Sequence, residues 1–162
     1  MIAMAIYDKY GFKNGLDIVG DSIAKWPYDE KKPTKTELNK IISDYKLKQS
    51  SENTKKEATN LYNEIENHFY IEANDRVYNF DISKKIDFFA KFVMMPDDGA
   101  LLWTAHDNIE YSHTKQEALN IFISAEAFLK PLFDAKKADK TGDGSLSNLN
   151  MIKASQEALK AL

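Results

Sequence analysis

Phe69-Tyr70-Ile71-Glu72-Ala73-Asn74-Asp75-Arg76-Val77-Tyr78-Asn79-Phe80, with Leu101-Leu102-Trp103-Thr104-Ala105-His106-Asp107-Asn108-Ile109-Glu110-Tyr111 further along, decides the fold. In the first run Phe69, Ile71 and Ala73 alternate along one face. Asn74-Asp75 offers two residues that tolerate positive φ, and Val77, Tyr78 and Phe80 return, which is the signature of a β-hairpin. The second run repeats the logic: Leu101 and Trp103 alternate with their neighbours, Asp107-Asn108 turns, and Ile109 and Tyr111 return. Between the hairpins, Asp81 or Ser83 can cap a helix. Its Ile86, Phe89, Ala90 and Val93 fall on one face at helical spacing, with Phe88 and Phe92 widening that face. Pro96-Asp97-Asp98-Gly99 stops this helix. Thr114 then caps a long helix with Leu119, Phe122, Ala125, Phe128, Leu129 and Leu132 inward, and Pro131 is expected to kink or end it. The order hairpin, helix, hairpin, helix predicts an α+β unit over residues 69–138.

Working outward, residues 1–32 read as a small N-terminal β element. Ile2, Met4 and Ile6 alternate with small residues, residues 10–15 supply turn chemistry through Asn14-Gly15, and Leu16, Ile18 and Ile23 form the return. Residues 33–68 read as a helical spacer. Thr34 and Glu37 have the spacing of a capping box, and Leu38, Ile41, Ile42 and Tyr45 share one face. The pattern thins to polar residues after Lys46, so the segment is either one long helix or two broken near residues 49–53. Residues 139–162 read as a polar connector and a short C-terminal helix.

The chain has 162 residues, no cysteine and a net charge of −3. The length suffices for a core without metal or disulfide, and the lack of cysteine excludes a disulfide framework, a thiolate metal site and a cysteine nucleophile together. Lys and acid are interleaved, with no basic stripe to attract nucleic acid. Arg76 is the single arginine among 22 basic residues. The apolar start at Met1 lacks a positive n-region and is not expected to act as a signal peptide. No apolar run reaches the ~18 residues of a membrane span.

Three constellations bear on chemistry. Residues 139–150 fit a calcium-loop template in part: Asp139, Thr141 and Asp143 at the first three ligand positions, Ser145 offering its carbonyl, and Asn150 where a bidentate Glu belongs. Two acids alone make a weak cage, and the same composition also describes a connector between helices, which is the favoured reading; calcium is the only cofactor expectation. His106-Asp107 invites a general-base reading and a small hydrolase. Adjacent strand residues face opposite ways, though, and no nucleophile motif accompanies them, so a turn is favoured and no catalytic residue is assigned. The aromatic set Phe88, Phe89, Phe92, Trp103, Phe122 and Phe128 reads mainly as core, with Phe88, off the main stripe, as the candidate for an exposed contact. The expected partner-binding residues are therefore Leu38, Ile41, Ile42, Tyr45 and Phe88, with self-association as one use of the helix face.

Residues 71–136 resemble a small domain found in tail-fibre and tail-fibre-assembly proteins of tailed bacteriophages. The likeness is carried by a short hairpin at 70–81, the helix start at Ser83, the string Trp103-Thr104-Ala105-x-Asp107-Asn108, and a last helix opening Thr114-x-x-Glu117 and ending at Phe133 and Lys136. Residues 18–44 resemble small phage tail proteins in which a Trp-containing strand leads into Pro-Thr-x-x-Glu and a helix. The family members end near the long helix, whereas this chain continues to Leu162. The resemblance implies a non-enzymatic bacteriophage or prophage tail-associated protein. It would act by protein–protein binding, as a structural module of tail or fibre or as an assembly accessory. Its partners would be other phage tail or fibre proteins, and its place the virion tail or the host cytoplasm during assembly. Nucleic acid and membrane are not expected partners. The alternative is a calcium-responsive module using residues 139–150.

Overall fold

The computed structural model describes residues 1–141 and 145–162. The fold is α+β. Among the described residues it comprises five helices and three separate two-stranded antiparallel sheets. The chain divides into two compact units, residues 1–53 and 54–162.

The first unit begins with α1 (Ile2–Tyr10), where the sequence pattern predicted a strand. Ile2, Ile6 and Tyr10 fall at helical spacing as well as at period two, and Ala3, Met4 and Ala5 are strong helix formers, so the helix prevails. Gly11 stops it at φ 80°, its N–H donating to the Tyr7 carbonyl at 2.9 Å. The hairpin of this unit is β1 (Asp17–Val19) with β2 (Ser22–Lys25), pairing Ile18 with Ile23. Its turn lies at Gly20, φ 60°, rather than at Asn14-Gly15. The first half of α2 (Lys35–Glu66) completes the unit. The capping box forms as expected: the Thr34 N–H and hydroxyl donate to Glu37 Oε2 at 2.7 and 2.8 Å, and the Glu37 N–H donates to Thr34 Oγ1 at 3.3 Å. These bonds hold the Glu37 carboxyl below its ordinary pKa.

α2 is one unbroken helix. Its expected partner face is instead core. Leu38 and Ile41 are buried, while Ile42 and Tyr45 are half-buried. Leu38 and Ile42 pack with Ile6, Ile23, Tyr28 and Trp26. The reading of residues 1–6 as a strand left that stripe uncovered; the helix α1, through Ile2 and Ile6, supplies the cover.

The second unit begins in the last part of α2, whose Ala58 and Ile65 are buried in it. β3 (Phe69–Ala73) and β4 (Arg76–Phe80) form the first hairpin in the register Phe69↔Phe80 to Ala73↔Arg76. Asn74 and Asp75, at φ 51° and 58°, make a primed two-residue turn. Asp81 caps α3 (Ile82–Met94), its carboxylate accepting from the Lys84 N–H at 2.7 Å. β5 (Leu101–Thr104) and β6 (Glu110–His113) form the last hairpin. α4 (Lys115–Thr141) opens with a second capping box, Thr114 with Glu117. α4 continues through Pro131, because Leu132, Ala135 and Asp139 beyond it are buried. α5 (Ser147–Lys160) belongs to this unit as well. Leu149 is fully buried, and Gln156 Oε1 accepts the Tyr70 N–H of β3 at 2.5 Å.

His113 is buried in this core, its Nε2 3.4 Å from the Tyr78 hydroxyl. Burial pushes its pKa down, with Arg76 adding to the effect and Glu117 opposing it. Below its ordinary pKa of about 6.5 the unfolded chain therefore takes up this proton before the folded one. Stability is full above that pH. It falls as pH drops from there toward the folded value, by at most ~1.4 kcal/mol per pH unit for one proton. Urea unfolding at pH 7.5, 6.5 and 5.5 checks this, and His113→Gln is expected to flatten the slope.

Candidate functional surface

The sequence string at Trp103–Asn108 is built by the second hairpin. Asn108 takes φ 64° at the tip. Asp107 locks the turn: it accepts from the Ile109 N–H at 2.9 Å and the Tyr111 hydroxyl at 2.7 Å, and these bonds hold its carboxyl below its usual range. His106 and Asp107 do not bond one another. The His106 N–H donates to the Val77 carbonyl at 2.8 Å, its Nε2 reaches the Lys160 carbonyl at 3.0 Å, and its ring meets Tyr70 edge-on at 4.9 Å. His106 therefore ties β4 and α5 to the hairpin. Trp103 is 8% exposed. Its ring neighbours are Phe80, stacked at 5.9 Å, and Phe88, perpendicular at 4.9 Å, rather than Phe122.

Beside the hairpin tip lies an open cleft of about 650 Å³ lined by Glu72, Asp75, Arg76, His106 and Asp107. The Arg76 guanidinium lies over the Tyr111 ring at 4.0 Å and donates to the Asn74 carbonyl at 3.2 Å. Carboxylates outnumber the single arginine around this cleft, so its lining does not favour an anion.

Each described residue of the calcium-loop template has its own setting. Asp139 is buried within α4, and its oxygens accept from Asn148 N–H at 3.3 Å, Asn148 Nδ2 at 2.6 Å and Leu149 N–H at 2.9 Å. It therefore anchors the first turn of α5, whose orphan N–H groups need such an acceptor. Thr141 is the last residue of α4 and its hydroxyl donates back to the Lys137 carbonyl at 2.9 Å. The Ser145 hydroxyl is 3.2 Å from that of Ser147, and Asn150 is exposed inside α5. Asp143 lies outside the described residues. Among the described residues no three acids or histidines converge on a point where a metal ion could sit. No helix among them is long and apolar enough to cross a membrane.

The most distinctive surface is on α3, and it inverts the sequence reading. Phe88 is 1% exposed and packs against Phe80 and Trp103, so it is core and not the expected contact residue. Phe92 joins it on the inward face, stacked on Phe122 at 6.3 Å. The stripe expected to face inward faces solvent instead: Ile86, Phe89 and Val93 are 64, 47 and 60% exposed and Ala90 is exposed beside them, and Ile82, 46% exposed, extends the stripe by a turn. Phe89 also touches Phe122 of α4 at 5.2 Å, so the stripe is continuous with the unit's own core. Lys85 beside it pairs with Glu126 of α4 at 2.7 Å. Four large apolar side chains on one exposed helix face form a patch of the kind that marks an interaction site. The signal was in the sequence. Ile82, Ile86, Phe89 and Val93 alternate with Phe88 and Phe92 around one short helix, an apolar arc wider than one core contact needs. Comparison with protein-family models, with curated proteins and with solved structures finds no match for this chain.

Proposed function

We propose that this chain is a tail-associated protein of a bacteriophage or prophage that acts by binding other proteins and performs no reaction of its own. It serves either as a structural module of tail or fibre or as an accessory to fibre assembly. Its partners are other tail or fibre proteins, met in the virion or in the host cytoplasm during assembly.

The observation that supports the binding role best is the exposed apolar stripe of α3, held on a helix whose other face is locked into an aromatic core. A rigid helix presenting side chains at i, i+4, i+7 and i+11 is a recurrent way to dock on a protein surface. The hairpin string Trp103–Asn108 fits the same reading, since its residues serve shape: Trp103 fills core, Asp107 and Asn108 make the turn, and His106 ties elements together. The assignment to phage tails comes from the resemblance of residues 71–136. Mass spectrometry of purified particles of the encoding phage, together with pull-downs from infected cells, tests it. The expected outcome is the chain bound to a tail or fibre protein, with Phe89→Asp abolishing the association. Absence from both particles and fibre complexes would refute the role.

A further inference from the structure

We propose that the exposed stripe of α3 is a self-complementary interface, through which two copies of this chain pair α3 against α3. The proposal rests on the protein-binding reading above and names its partner as a second copy.

The spacing is the first ground. Ile82, Ile86, Phe89 and Val93 are separated by steps of four, three and four, the alternation of a helix–helix seam. That series reads the same in both directions. A two-fold axis crossing α3 midway between Ile86 and Phe89 runs the two helices antiparallel. It sets Ile86 of one copy on Phe89 of the other, and Ile82 on Val93. An isologous contact requires such a patch, complementary to itself.

Area is the second ground. Taking about 200 Å² for a large side chain fully in water, the four residues at their measured exposures, with Ala90, present roughly 400–500 Å² of apolar surface. Two copies paired along the stripe bury twice that, roughly 800–1,000 Å², on the order of the ~1,000 Å² total that a specific interface needs.

Charge is the third. Lys85, which borders the stripe, is paired with Glu126 within a copy, so pairing along the stripe brings that ammonium to the contact already neutralised.

Sedimentation velocity of the whole chain across micromolar concentrations tests the proposal, comparing the native sequence with Ile86→Asp and Phe89→Asp. Both residues are exposed, so the fold is expected to survive, which circular dichroism checks. A concentration-dependent dimer is expected, with each substitution weakening it about thirtyfold or more. The chain has no cysteine, which allows a second measurement. Ile86→Cys should link two copies through a short thiol-reactive reagent, whereas Leu47→Cys, equally exposed on α2, should not. A native chain that stays monomeric overturns the proposal. So does a dimer that both aspartates leave intact, or linking that is equal at the two cysteines. The broader binding reading fails on a different result, the survival of particle association in both aspartate variants.

Discussion

Trp103→Ala is expected to destabilise the second unit by about 3–5 kcal/mol, the range for deleting a large buried aromatic. Trp103 is 8% exposed, sits on β5 in register with Tyr111, and meets Phe80 and Phe88, each 1% exposed. Both neighbours are held by other contacts: Phe80 stacks with Phe69 at 6.0 Å and meets Phe88 at 5.6 Å. They have little freedom to collapse into the space an alanine would leave, which puts the cost toward the high end. The Lys91 ammonium also lies 5.1 Å over the indole and would lose that contact. Urea unfolding of the intact chain, followed by circular dichroism, measures the loss. A change under ~1 kcal/mol would mean that Trp103 is not part of the packed core.

Asp139→Ala is expected to cost about 3 kcal/mol, because it strips three hydrogen bonds from a buried site and orphans two backbone N–H groups at the start of α5. Asp139→Asn, which keeps one acceptor oxygen, is expected to lose roughly half as much. The loss should be the same in chelator and in millimolar calcium, since the carboxylate serves α5 directly. Destabilisation that appears only when calcium is present would reverse the structural role assigned here and restore residues 139–150 as a calcium loop.

The parts of the fold that sequence made legible are those with local chemistry. Asn74-Asp75 and Asp107-Asn108 could be read as turns because few residue pairs tolerate positive φ, and both hairpins form in the expected places. Thr34 with Glu37, and Thr114 with Glu117, set helix starts through hydrogen bonds that span only three residues. What sequence left open depends on packing at a distance. Ile2 and Ile6 fit a strand or a helix, and burial of Ile6 against Leu38 settles it as a helix. Once α1 exists, Leu38 and Ile42 are covered, Ile41 is buried as well, and the expected partner face on α2 disappears. α3 carries apolar residues around most of its circumference, so spacing alone does not say which stripe faces inward. Phe88 wins because it reaches Phe80 and Trp103 together, which leaves Ile86, Phe89 and Val93 outside. Asp139 belonged to a loop template in sequence but sits inside α4, because residues on both sides of Pro131 are held by the core that α4 shares with α5.

The central claim is that the outer stripe of α3 is where this protein docks. The most direct measurement places a photo-reactive benzoylphenylalanine at position 89 and, separately, at position 47, and illuminates infected cells or particles. Position 89 is predicted to give a covalent adduct with a second copy of the chain or with a tail or fibre protein, and position 47 none. No adduct from position 89 where the chain is present, or the same adducts from both positions, would contradict the claim.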